Sequence, residues 1–180
     1  MRLDSDVGGM FFAQHDRGVF ETNIISLVSR TEAFIQDCIA IATVAFPGKL
    51  SLLTEKSGIP LDLFLENESR EDVINRFVAL KCEALMFAKP SEYIEKLTKV
   101  LAIPLDVGLV SDFLEIKASR DIIIHNNGRI NKLYVEKAGE KARGTIGHEL
   151  TVDHAYFRHV IVKLKRLSGT IQRETEKVYK

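Results

Sequence analysis

Apolar residues in this chain recur every three to four positions, and no stretch alternates apolar with polar as a half-buried strand would. The longest such pattern runs from about Phe20 to Phe46, through Ile24, Leu27, Val28, Phe34, Ile35, Cys38, Ile41 and Ala45. That is the spacing of a buried helix face. Pro47-Gly48 ends it, since proline cannot continue a helical hydrogen-bond ladder. A chain patterned in this way folds as an all-α protein.

The remaining punctuation gives the other helices. Ser57-Gly58 and Pro60 break an irregular stretch that reaches about Glu68, with a short helical turn expected at "PLDLFLEN". Ser69-Arg70-Glu71-Asp72 reads as a capping signal, with a hydroxyl acceptor and an acid three residues on. It launches a helix through Val73, Phe77, Leu80 and Leu85 to about Ala88. Pro90 opens a shorter helix, "SEYIEKLTKVLA", which stops before Pro104. Asp106 is placed to cap the helix "VGLVSDFLEIKASRDIIIH", and Asn126-Asn127-Gly128 suits a left-handed C-cap. A loop rich in Gly and Lys is expected from about Arg129 to Gly147, then a last helix from about Val152 to Val178. Four or five helices with short connections make an antiparallel bundle the economical architecture.

A chain of 180 residues suits one domain, 1–180, in which residues 1–18 are a candidate flexible arm. No apolar run spans a bilayer, and "MRLDSDVGG" lacks the features of a signal peptide. Cys38 and Cys82 lie far apart in apolar segments, as small buried hydrophobes of a reducing compartment do. The expected location is cytoplasmic, with no membrane partner. The formal charge is zero, but it is unevenly spread: residues 1–115 carry 11 Lys/Arg and 18 Asp/Glu, residues 116–180 carry 14 and 7. Such a chain can hold a basic patch for an anionic partner, or pair its acidic and basic helices internally. In the last helix Lys163, Arg166, Arg173 and Lys177 fall within an arc of about 80°. They form either a solvated face favoured by the helix dipole or a phosphate-binding track.

Several motifs fail on spacing. His148-Glu149 would need a histidine at position 152 to begin a zinc-binding H-E-x-x-H, and that residue is Val152. His154 and His159 are five apart and do not share a helix face. Gly139 to Gly144 has the spacing of a phosphate-binding loop without the Lys-Ser or Lys-Thr that must follow. The acidic cluster Asp62, Glu66, Glu68, Glu71 and Asp72 reads as a solvated loop and helix start. No metal and no cofactor is expected.

"SRDIIIHNNGRIN", Ser119 to Asn131, stands apart. Arg120 and His125 bracket three isoleucines where a helix should stop. Five residues of straight helix turn the two side chains about 140° apart. Either the helix unwinds so that His125 swings round, or each side chain addresses a partner outside the helix, a second copy included. Ile123 and Ile124 are expected to anchor the helix in the core. Asp121, four before His125, can hold the imidazole. A plain capping role also accounts for a histidine in a last helical turn. Arg143 and His148 repeat the spacing in a Gly-rich loop, without an apolar anchor.

Over Glu115 to Tyr134 the sequence resembles the signature of the HEPN superfamily, small all-α domains marked by Arg, four to six residues, then His. Elsewhere the resemblance is one of layout, a long first helix and a basic last helix. Many members have Asn directly after the Arg, where this chain has Asp121. The resemblance implies a HEPN-like bundle and a metal-independent endoribonuclease, often a toxin of toxin–antitoxin or phage-defence systems. It implies a homodimer with Arg120 and His125 of both chains near the two-fold axis, supported by Asp121, Asn126, Asn127 and Tyr134. RNA is then the substrate, held by Lys163, Arg166, Arg173 and Lys177, and an antitoxin protein is a candidate partner. The competing class is a HEPN-like module that binds nucleotide, RNA or protein without turnover.

Overall fold

The computed structural model describes residues 4–53, 58, 60–66, 69–86 and 90–179. Ser57, Glu68 and Ala88, which figure in the sequence reading, lie outside the described residues. Among the described residues all extended regular structure is helical, and a single antiparallel bridge pairs Arg129 with Glu149. The helices are α1 (Asp4–Ala45), α2 (Leu50–Leu53), α3 (Leu61–Glu66), α4 (Arg70–Met86), α5 (Pro90–Leu101), α6 (Val107–Asn126), α7 (Lys132–Ala138) and α8 (His154–Val178). The protein is therefore all-α. No single helix among the described residues is long and apolar enough to cross a membrane.

The chain divides into two compact units. One is made of Met1–Arg30 and Val107–Leu167, the other of Thr31–Asp106 and Ser168–Lys180. Both divisions on the long helices fall mid-helix, at 30/31 in α1 and 167/168 in α8.

In the second unit, Ser69 caps α4 as its sequence predicts. Its Oγ accepts from the Asp72 amide at 3.1 Å and donates to the Asp72 carboxylate at 2.5 Å. Leu63, Val73 and Phe77 form a core patch, with Leu50 against it. Lys49, just after Pro47-Gly48, donates to the Val100 carbonyl at 2.6 Å, and the Tyr179 hydroxyl hydrogen-bonds the Leu101 carbonyl at 3.1 Å. These bonds satisfy carbonyls at the end of α5 that the helix itself leaves unpaired. Cys82 is buried, and burial pushes its thiol up to about 11, the behaviour of an unreactive core thiol.

The first unit carries every residue of the Arg120–His125 motif. Two features depart from the sequence expectation here. α1 begins at Asp4, so residues 4–18, read in the sequence as a candidate arm, are the start of the first helix. Val7, Met10, Phe11 and Phe12 are exposed on this extension, so no buried stripe announced it. The stretch 129–147 is not all loop: it holds α7 and a 3-10 turn at Gly139–Lys141. Asn131 starts α7 by accepting from the Tyr134 amide at 2.8 Å. Only Tyr134 and Ala138 of α7 are buried, too few positions to show a period.

Candidate functional site

The buried side of α6 steps through Asp112, Glu115, Ile116, Ser119 and Ile122. Ile122 is thus the anchor of the motif. Ile123 is half-buried, and Ile124 is 45% exposed. This corrects the expectation for Ile123 and Ile124, and the reason is geometric: two residues on, Ile124 points about 200° from Ile122. α6 stays α-helical through Asn126. It therefore does not unwind to swing His125 toward Arg120.

The helix ends as the Asn-Asn-Gly sequence predicts. Asn127 and Gly128 both take left-handed backbone, φ +50° and +69°. The Gly128 amide donates back to the Ile122 carbonyl at 2.9 Å, and Asn126 Nδ2 donates to the Arg129 carbonyl at 2.6 Å. The first of these reaches back six residues, past the two left-handed positions, to a carbonyl of the last helical turns. A Cβ on Gly128 would stand 2.9 Å from an Arg17 nitrogen, and Arg17 is itself tied to Glu21 and Glu149. Beyond the turn, Ile130 donates to the His148 carbonyl at 2.9 Å and Leu150 to the Gly128 carbonyl at 2.8 Å. His125 is thereby left exposed on a rigid turn, with no hydrogen-bond or ion-pair partner among the described residues. Arg120 is half-buried and its Nη1 lies 3.3 Å from Asp121.

Asp121 does not turn to His125 as expected. Its other carboxylate oxygen lies 3.1 Å from Lys137 of α7, so its charge is balanced by two cations. Tyr134 lies in the core, not on the surface beside His125. Its hydroxyl donates to Glu115 at 3.0 Å and accepts from the Arg143 amide at 3.0 Å, and burial raises its pKa.

Glu115 and Arg143 form a centre that the sequence reading passed over. The Glu115 carboxylate is almost fully buried and accepts from Ser119 at 2.6 Å, Arg143 Nε at 2.9 Å, Tyr134 at 3.0 Å and Tyr156 at 3.0 Å. The Arg143 guanidinium also donates to the Thr151 carbonyl at 2.9 Å and stacks 3.3 Å from the centroid of the Tyr156 ring. Burial opposes the guanidinium charge, but Tyr156 and Glu115 outweigh it and hold Arg143 firmly protonated. A buried carboxylate satisfied by four donors is a structural keystone. Arg143 is thus half of a buried pair, whereas His148, at the far end of its R-x-x-x-x-H spacing, is exposed and its ring meets the Thr145 hydroxyl at 2.9 Å.

A second buried carboxylate, Asp112, draws in Lys163 at 2.6 Å and Lys141 at 3.0 Å. Lys163 therefore serves the fold. Arg173 and Lys177 belong to the other unit, and both pair with Glu174, at 3.2 and 2.9 Å. Of the four residues assigned to a phosphate track, Arg166 alone is exposed with no partner among the described residues. Burial works against the Asp112 charge, yet its two lysines outweigh burial and hold its pKa below the ordinary carboxylate value. A lowered folded-state pKa means that the unfolded chain binds the proton first. The stabilisation is then complete above the ordinary carboxylate range and disappears as pH falls through the folded value. Asp112→Asn should flatten the acid limb of a stability-versus-pH curve measured by urea denaturation; an unchanged limb would show that the pair adds nothing.

Compared with known protein families, curated proteins and solved structures, the chain matches none.

Proposed function

We propose that this chain is a HEPN-like helical bundle that acts as a homodimeric, metal-independent endoribonuclease. The observation that carries the reading is the setting of His125. It is an exposed imidazole on the last turn of α6, unpaired among the described residues and fixed by a buried Ile122 and a left-handed cap. Histidine there is free to move a proton, and Arg120 one turn earlier supplies a fixed positive charge for a phosphate. The balance of Asp121 by Arg120 and Lys137 supports the reading, because it removes a bare carboxylate from the neighbourhood of a phosphate site.

The chemistry asks little else of the protein. The ribose 2′-oxygen attacks the adjacent phosphorus and its proton goes to a base. The bond to the 5′-oxygen breaks, and that oxygen takes a proton from an acid. One imidazole serves as base and another as acid. A straight α6 holds Arg120 and His125 about 140° apart, so groups of a second copy complete the site across a two-fold axis.

The test is RNA cleavage with chelator present. Wild type should cut, and both His125→Ala and Arg120→Ala should fail at matched fold and oligomeric state. RNA bound but left intact by the wild-type dimer would shift the assignment to a HEPN-like binding module.

A further inference from the structure

The exposed cations of α8 that lack a partner among the described residues share only Arg166 with the arc that the sequence selected. Tyr156, Val160, Leu164 and Leu167 are the buried positions of α8 within the first unit. The sector opposite them holds Arg158, Val162, Lys165 and, at its margin, Arg166, within an arc of about 100°. All three cations are exposed, and none has a hydrogen-bond or ion-pair partner among the described residues. His154 to Leu167 contains no acidic residue. The usual local explanations do not reach them. The helix dipole favours cations within the last turn, and all three residues lie well before the last turn of a 25-residue helix, Arg158 nearer its N-terminal end. An i,i+4 ion pair needs an acid that this segment lacks.

We infer that the Arg158–Lys165–Arg166 face of α8 is a docking strip for the sugar–phosphate backbone of RNA, and this inference rests on the RNA-directed reading above. Free guanidinium and ammonium groups on a rigid helix are the groups that displace counterions from phosphates. A lipid surface fits less well, because Val162, 60% exposed, is the sector's one large apolar side chain, and a membrane-lying helix needs a broad apolar face. In α8 that face is already used in the core. The strip holds three of the cations of the C-terminal third without invoking Lys163, whose charge Asp112 takes.

The experiment uses the full chain carrying His125→Ala, so that RNA survives the measurement. Binding of a labelled single-stranded RNA of mixed sequence is followed by anisotropy across a salt series. The triple substitution Arg158→Gln, Lys165→Gln, Arg166→Gln should weaken binding and lower the slope of log affinity against log salt by about two. Arg173→Gln with Lys177→Gln should leave the slope unchanged. These exposed substitutions leave the core intact, which circular dichroism verifies. An unchanged slope in the triple variant overturns the strip, even if wild type cleaves RNA. A lowered slope with no cleavage by wild type keeps the strip and overturns the nuclease. Binding of polyglutamate but not RNA, abolished by the triple variant, overturns the RNA assignment in favour of an acidic protein partner.

Discussion

Arg143→Met should lower the unfolding free energy by about 3 kcal/mol, which for a chain of this size is a fall in Tm of roughly 6–12 °C. Removing one member of a buried ion pair leaves the other uncompensated. Here the survivor is Glu115, with 5% side-chain exposure, and among the described residues no other cation pairs with it. Ser119, Tyr134 and Tyr156 would still donate to the carboxylate. That, and the partial exposure of the guanidinium, places the loss at the lower end of the range for broken buried pairs. Methionine keeps much of the packing on the Tyr156 ring, so the effect reports the charge and its donors. Glu115→Gln in the same background should recover part of the loss, because a neutral amide needs no counter-charge. A double-mutant cycle isolates the term. A loss under about 1 kcal/mol would mean that Arg143 behaves as a surface cation.

This centre also shows where sequence reading stops. Arg143 was legible only as one end of an R-x-x-x-x-H spacing in a Gly-rich loop. Its partners are Glu115, Ser119, Thr151 and Tyr156, up to 41 residues apart in their mutual bonds. No local period encodes a bond of that range. Lys163 fails for the same reason: a helical arc says which side chains share a face, not which neighbour carries Asp112. Features whose cause is local were readable. The Ser69 cap, the stop at Pro47 and the left-handed Asn127-Gly128 turn each follow from one or two residues and their backbone preferences. α7 fell between the two cases. Its Asn131 cap is local, but seven residues are too few to declare a face. For the candidate site, the position and exposure of His125 follow from the helix stop, whereas the pairing of Asp121 with Lys137 needs the fold.

His125→Ala should cut the rate of RNA cleavage by about 10²–10⁴, the usual worth of a positioned general acid or base. Stability should stay within about 0.5 kcal/mol of wild type, as for surface substitutions that break no buried contact. The separation of these two readouts is what makes the substitution informative, because the side chain is exposed and bonded to nothing described. A core histidine would lose both together. Arg120→Ala should also abolish cleavage, but with a measurable stability cost, since Arg120 is half-buried against Asp121. The dimer enters through dilution. If Arg120 and His125 on one straight helix cannot address one phosphate, an isolated protomer is inactive. Activity per protomer should then fall steeply once the protein is diluted below its dimer dissociation constant, and sedimentation under the same conditions should track the fall. Constant activity per protomer through dissociation would place a complete site on one chain. The second proton-transfer group would then have to come from the same copy, and exposed His148, held by Thr145, would be the first residue to substitute.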